Sequence, residues 1–423
     1  MLHGLILRYL KVTLICGFLA VLLALGLFEM GAFRKLDASL ATFLSRPSPP
    51  VVERALQYWL ALFLGLGITW TTIDIIRHSF KIGIALVALA EVLAAVWVLN
   101  LFSIYYSPFV SIVAVVGGFT IGLWFSQTAA GSRKRTLLNL LGDRVSNQTF
   151  GKLLESDSPL KFDGEVREAT VLVCEIFNHE ELLATLRTDN YVAMTNSFQQ
   201  NATDFLLERG AYLDECDGEC LRVIFGAPLR DHRHAATACE AALDLCDKLE
   251  SVNRECVSVW GKEFNFRIGI NTGELILGAY GPRRLGALSA SGEPVEFARR
   301  LCSANSIYGS RILIGTKTFA QGEEGIEVRP MELIQRVPEK SDREEVYELI
   351  TRKERLSESQ RERRDLYWKG VVFFREQKLE QALSIFRESL EKYGADGAAD
   401  FYVKRIEQIQ KGLPVLEWGT ARL

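Results

Sequence analysis

Two stretches decide the fold: ATVLVCEIF (169–177) and AYLDECDGECLRVIFGAP (211–228). The first is a Val- and Leu-rich run that ends on a carboxylate, Glu175, and its unbroken apolar character predicts a strand buried on both faces. The second holds two short apolar runs on either side of Asp217-Gly218, a hairpin signal. That turn presents a second carboxylate, Glu219. Between the two stretches the spacing predicts a helix at about 180–208, and after the hairpin a long helix at 234–252. Strands FNFRIGINTG (264–273) and ELILGAYG (274–281), a turn, a helix from Pro294 and a strand RILIG (311–315) follow. The order is mixed α/β, with carboxylates at strand ends.

The chain has 423 residues, 49 Lys+Arg against 52 Asp+Glu, and 48% hydrophobic residues. This composition excludes disorder, and the near-neutral balance argues against a nucleic-acid partner, which would need a concentrated basic face. The mean hydropathy of +0.10 averages two unlike regions. Residues 1–135 hold eleven Lys+Arg and five Asp+Glu, about +6, which leaves 38 against 47, about −9, for the rest. The first region carries four apolar runs, at about 12–30, 56–73, 82–102 and 110–125, each near the ~20 residues that cross a bilayer as helix. They are apolar all round, unlike a core helix with its polar stripe.

Lys and Arg next to short loops predict the orientation. Arg8 with Lys11, Arg77 with Lys81, and Arg133 with Lys134 and Arg135 all fall on one side of the four spans. The turn at 105–108 has none. The loop 32–55, with Arg34, Lys35, Arg46 and Arg54, dissents, and it is too short for a folded sensor of ordinary size. Both ends of the membrane region are therefore expected in the cytoplasm. Glu91 inside the third run is expected to be protonated or bonded to another helix, as a sensor or as a structural contact. The eight cysteines, with Cys216 and Cys220 as C-x3-C, match no zinc spacing, and the five histidines form no metal set.

The composition shifts predict a four-helix membrane anchor over 1–130, a coupling helix over 131–160, an α/β domain over 161–352 and a helical tail over 353–423. In the tail, YWKGVVFFREQKLEQALSIFRESLEKYG (367–394), with Trp368, Gly370, Phe374, Ala382 and Phe386, resembles a tetratricopeptide repeat. One such repeat cannot bury its own apolar faces, so packing on the α/β domain is expected.

The two opening stretches, with DHRHAATACEAALDL (231–245), FRIGINTGELILGAYG (266–281) and SASGEPVEFARRL (289–301), resemble the successive blocks of a class III nucleotidyl cyclase catalytic domain over about 165–349. The spans, connector and tail resemble bacterial inner-membrane cyclases of the CHASE2 type without the extracytoplasmic sensor. The resemblance implies an α/β, ferredoxin-like domain that works as a head-to-tail homodimer, or as a heterodimer with another cyclase-type subunit. It implies ATP or GTP as ligand and two Mg or Mn ions held by Glu175 and Glu219.

Several positions depart from the family. Aspartate is usual at both metal positions, and glutamate is one methylene longer. The asparagine and arginine offered by the opposite subunit correspond to Glu296 and Arg300, whose i, i+4 spacing predicts an intrahelical ion pair. The lysine of a Lys-Gly pair before a segment like EEVYEL corresponds to Pro338, followed by Glu339, with Lys340 and Arg336 as nearby substitutes toward the triphosphate. The base-selecting pair corresponds to Glu215 and Ser289, and a carboxylate at the first position leans toward GTP. The departures predict a pseudoenzyme that binds nucleotide or pairs with an active subunit. An active adenylate or guanylate cyclase is the alternative, and a membrane scaffold recruiting a partner through the C-terminal helices is a further one.

Overall fold

The computed structural model describes residues 2–45, 53–75, 78–128, 136–156, 163–282, 286–335 and 343–413. The chain divides into two compact units, 1–139 with 150–157, and 140–149 with 158–423.

In the first unit the helices are α1 (Leu2–Glu29), α2 (Arg34–Phe43), α3 (Arg54–Asp74), α4 (His78–Leu101) and α5 (Pro108–Gln127). Four stretches, Leu10–Glu29, Arg54–Asp74, Ser79–Leu101 and Pro108–Gln127, are long and apolar enough to cross a membrane, in agreement with the four runs in the sequence. Small residues let the helices approach: a Cβ on Gly118 of α5 would lie 2.9 Å from the Gly65 carbonyl oxygen of α3. Within the loop 32–55 the chain forms α2, whose buried Asp37 accepts a hydrogen bond from Tyr105 Oη at 3.1 Å. Glu91 sits on the exposed face of α4. Among its described residues the connector is interrupted rather than one helix: a short helix over 136–141 stops at Gly142, whose φ of +51° favours glycine, and α6 (Asn147–Glu155) follows.

The second unit is built on an eight-stranded sheet with the order β2-β3-β1-β4-β6-β8-β7, and β5 pairs with β4. Its elements are β1 (Glu165–Ile176), α7 (His179–Thr185), α8 (Thr188–Glu208), β2 (Tyr212–Asp217), β3 (Cys220–Phe225) and α9 (His234–Trp260). They continue with β4 (Phe266–Tyr280), β5 (Ala287–Ser291), α10 (Glu293–Tyr308), β6 (Ile312–Ile314), α11 (Thr316–Gly322), β7 (Ile326–Gln335) and β8 (Arg343–Arg352). Among the described strands only β4 and β6 pair in parallel; β1 lies antiparallel to both β3 and β4.

Two sequence expectations are corrected here. The region 264–281 forms one 15-residue strand, β4, not two. Gly273 does not break it; the missing side chain makes room for Pro294 of α10, which a Cβ would strike. The helix expected at about 180–208 divides into α7 and α8, because Arg187 is extended (φ −65°, ψ 148°). No glycine or proline announces that break.

One core lies under α8 and α9 and includes Leu172, Phe198, Leu245, Phe264 and Ile270. The other joins α10 and the sheet to the tail helices α12 (Glu358–Arg375), α13 (Leu379–Tyr393) and α14 (Gly397–Gln410), with Leu301, Met331, Tyr367, Phe386 and Tyr402 fully or almost fully buried. The tail thus packs on the α/β domain, as the unpartnered apolar faces required. α10 lies hard against β4 at Gly269, where a Cβ would meet the Ala298 carbonyl and the Cys302 amide. Asn305 Nδ2 donates to the Ile268 carbonyl at 3.0 Å and ties the same two elements. Gly269→Ala is therefore expected to cost about 3 kcal/mol or more, because backbone must move to admit the methyl group. Denaturant unfolding of the detergent-solubilised chain measures it, and a loss under about 1 kcal/mol would contradict that packing.

Candidate functional site

Glu175 stands near the end of β1, opposite Cys220 on β3 and Arg267 on β4. Glu219 occupies the β2–β3 turn after Gly218, whose φ of +49° allows the tight reversal. The Ile176 amide donates to the Glu219 carbonyl at 2.9 Å, so strand pairing holds the two carboxylates side by side. His179 borders them, with Nε2 3.9 Å from Glu219 Oε1 and Nδ1 3.2 Å from the Ile176 carbonyl. Partial burial raises the Glu175 carboxyl above its ordinary value of 4.5, and the Glu219 charge adds to the rise while His179 opposes it. The donors are hard carboxylate oxygens, which fit Mg or Mn. Among the described residues no group of three or more His, Cys, Asp or Glu is placed to hold a metal.

The raised Glu175 value has a consequence for stability. A carboxyl with a raised folded value favours the fold while protonated; that contribution is complete below the unfolded value near 4.5 and lost as pH rises through the folded one. Glu175→Gln, which cannot ionise, should melt at a higher temperature than the wild type at pH 7 to 8, with the gap closing toward pH 4. A melting scan across pH checks this, and a variant less stable at neutral pH would contradict it.

The two base-selecting residues expected from the sequence are joined in one network. A register shift in β2 between Leu213 and Glu215 leaves Asp214 turned inward, its side chain fully buried. Ser289 Oγ donates to Asp214 Oδ1 at 2.6 Å, and Arg222 Nε donates to Asp214 Oδ2 at 2.7 Å. The same Arg222 reaches Glu215 Oε2 at 2.7 Å, and Arg299 Nη2 approaches that oxygen at 3.4 Å. Glu215 is thus flanked by two guanidiniums.

Arg300 is placed differently from its neighbour Arg299. Its Nη2 lies 3.9 Å from Glu293 Oε1, seven positions earlier on α10, in place of the expected pair with Glu296. Glu293 and Glu296 both sit in the first turn of α10, where the helix dipole favours a carboxylate. Arg336, Pro338, Glu339 and Lys340 lie outside the described residues.

Four residues of the site escaped the sequence reading: Asp214, Arg222, Arg267 and Arg299. Arg222 and Arg267 each interrupt an apolar strand, LRVIF and FNFRIGI, which is the signal that was present. The Arg267 guanidinium lies over the Phe177 ring, 3.2 Å from its centroid, and burial lowers its pKa from the ordinary value.

Residues 163–338 match the family described as "Adenylate and Guanylate cyclase catalytic domain". Among curated proteins the chain is 26% identical over 165 residues to "Adenylate cyclase 1" of Rhizobium meliloti (strain 1021), covering 39% of this chain and 25% of that protein. The chain spans about a quarter to a third of the length of the curated relatives it matches. Among solved structures it is similar to the guanylyl cyclase Cya2 (22% identity, TM-score 0.42, 46% of this chain and 96% of that one). It is also similar to the adenylyl cyclase CyaB from P. aeruginosa (23% identity, TM-score 0.41, 44% and 96%).

Proposed function

We propose that the chain, whose residues 163–338 match the adenylate and guanylate cyclase catalytic domain family, is a membrane-anchored class III nucleotidyl cyclase homologue that binds a purine nucleoside triphosphate but has a disabled chemical step. The observation that carries this is the placement of glutamate: Glu175 and Glu219 side by side at strand ends, and Glu296 in the first turn of the helix that bears Arg300. Mg or Mn held by Glu175 and Glu219 would lower the pKa of the ribose hydroxyl and neutralise the triphosphate. The carboxylates orient that end of the ligand, each from one methylene farther than aspartate would. Glu215 accepts N–H groups of a guanine edge while Arg222 and Arg299 hold it in place. Ser289, fixed by Asp214, presents its remaining lone pairs to the base.

The site is completed by α10 of a second subunit, in a homodimer or in a heterodimer with another cyclase-type chain. There Glu296 sets a negative charge that repels phosphate where the family offers a neutral amide to the ribose, while Arg300 retains the transition-state role at the α-phosphate. Residues 1–130 anchor the chain in a bacterial inner membrane by four spans, 131–160 connect, 161–352 form the cytoplasmic cyclase-like domain and 353–423 form the tail. The test is calorimetry of the full chain in lipid nanodiscs with Mn and either ATP or GTP. Binding, tighter for GTP, without cyclic product is the expected result. Cyclic product from the wild-type chain would overturn the reading in favour of the active cyclase that Arg300 and the carboxylate pair would otherwise support. Neither binding nor product would leave a membrane scaffold.

A further inference from the structure

One end of the sheet carries opposite charges on neighbouring strands. Glu219 and Glu175 occupy the β3 and β1 positions, Arg267 enters β4 opposite Glu175, and Arg311 precedes β6, its carbonyl accepting from the Ile268 amide at 2.9 Å. Arg352 closes β8, which pairs with β6. The arginine half opens into a cavity of about 730 Å³ bounded by α9, α12 and the start of α14, and Arg355, Arg363 and Arg364 line its far wall. With Arg329, seven guanidiniums line this space against four carboxylates, Asp247, Glu250, Glu348 and Asp396. The formal lining charge is therefore +3.

These arginines divide into two kinds. Arg329 is spent on structure: it is nearly buried and clasped by Glu348 at 2.7 Å and by both oxygens of Asp396 at 2.6 and 2.8 Å. Arg311 and Arg355 are 54% and 59% exposed, and each is held through one nitrogen, by Glu250 and by Asp247 at 3.6 Å respectively. Arg352 is held by Asp244 at 2.7 Å, outside the cavity lining. A guanidinium has five donors in a fixed fork, so pairing through one nitrogen orients the group and leaves donors for a planar or tetrahedral oxyanion. A concave surface of one sign also focuses its field on a counter-charge.

We propose that this cavity binds a multiply charged phosphate chain, gripped chiefly by Arg311, Arg352 and Arg355. The shared chemistry admits inorganic tripolyphosphate or the tail of a nucleoside polyphosphate. Metal is not needed, because the cations are the protein's own, and this separates the cavity from the carboxylate pair.

The experiment titrates the full chain in nanodiscs, with EDTA present, against sodium tripolyphosphate and against ATP, by calorimetry. Binding is expected for both, weakened about tenfold or more in Arg311→Ala/Arg355→Ala, the loss of one charge-assisted contact or more. Arg387→Ala, which removes a surface arginine paired with Glu407 outside the cavity lining, should bind as the wild type does. Equal affinities for the two probes assign the phosphate chain alone, and tighter ATP binding assigns a nucleotide tail. An unchanged melting temperature shows the double variant is folded; if it falls, Arg311→Lys/Arg355→Lys, which keeps both charges, must retain binding to within a few-fold. No binding at millimolar tripolyphosphate, equal binding by the alanine variant, or equal competition by sulfate overturns the proposal.

Discussion

Cyclic nucleotide should appear when Glu175→Asp, Glu219→Asp, Glu296→Asn and Pro338→Lys are combined in one chain, with a gain over the wild-type background on the order of 10³-fold or more. The estimate follows from geometry and charge. Shortening both carboxylates by a methylene would draw back the oxygens they offer to a metal by about 1 Å, and a misplacement of that size is worth roughly 100-fold. Replacing Glu296 removes an anion from the first turn of α10 and restores a neutral donor near the α-phosphate, where one transition-state contact is worth about 10²–10³. The four residues act on one reacting unit, so single reversions should give far less than their share. The measurement is cyclic product formed from ATP and from GTP with Mn, separated by chromatography. No product from the combined variant would mean that the pocket is altered beyond these positions, and the disabled-step reading would fall with it.

The largest effect on stability is expected at Asp396. Its side chain is 3% exposed, takes two bonds from Arg329, accepts from Arg363 at 3.1 Å and caps α14 through the Ala398 amide at 3.1 Å. Burial alone would raise its carboxyl, but Arg329 and Arg363 outweigh burial and hold it below the ordinary value. Asp396→Ala leaves a buried guanidinium short of a partner and uncaps a helix, a loss of about 3–5 kcal/mol. Urea unfolding should show it; a loss below about 1 kcal/mol would refute the role assigned to the pair. The linkage has a definite sign. A depressed carboxyl stabilises the fold above its unfolded value near 3.8, and that stability is lost as pH falls through the folded value, so acid should loosen the tail first.

Much of the fold was legible because its signals are local. The four apolar helices long enough to cross a membrane follow from length and hydropathy alone, and the hairpin around Gly218 follows from turn chemistry. The strand carrying Glu175 could be read from an unbroken Val and Leu run. The single strand across Gly273 could not, because whether a glycine ends a strand or admits Pro294 depends on what packs there. The break at Arg187 left no mark in composition.

Glu175, Glu219, Glu296, Arg300, Glu215 and Ser289 could all be listed from block order. Their partners could not, since a side chain chooses among several charges within reach, and only three-dimensional placement says which is nearest. Thus Arg300 turns to Glu293, and Glu215 takes Arg222 and Arg299. By itself the sequence determined the four apolar helices long enough to cross a membrane, the mixed α/β order and the carboxylates at strand ends, all set by local pattern along the chain. Tertiary structure alone decided that Arg267, Arg311 and Arg352, far apart in sequence, meet at one end of the sheet, because strand order and register, not spacing, bring them together.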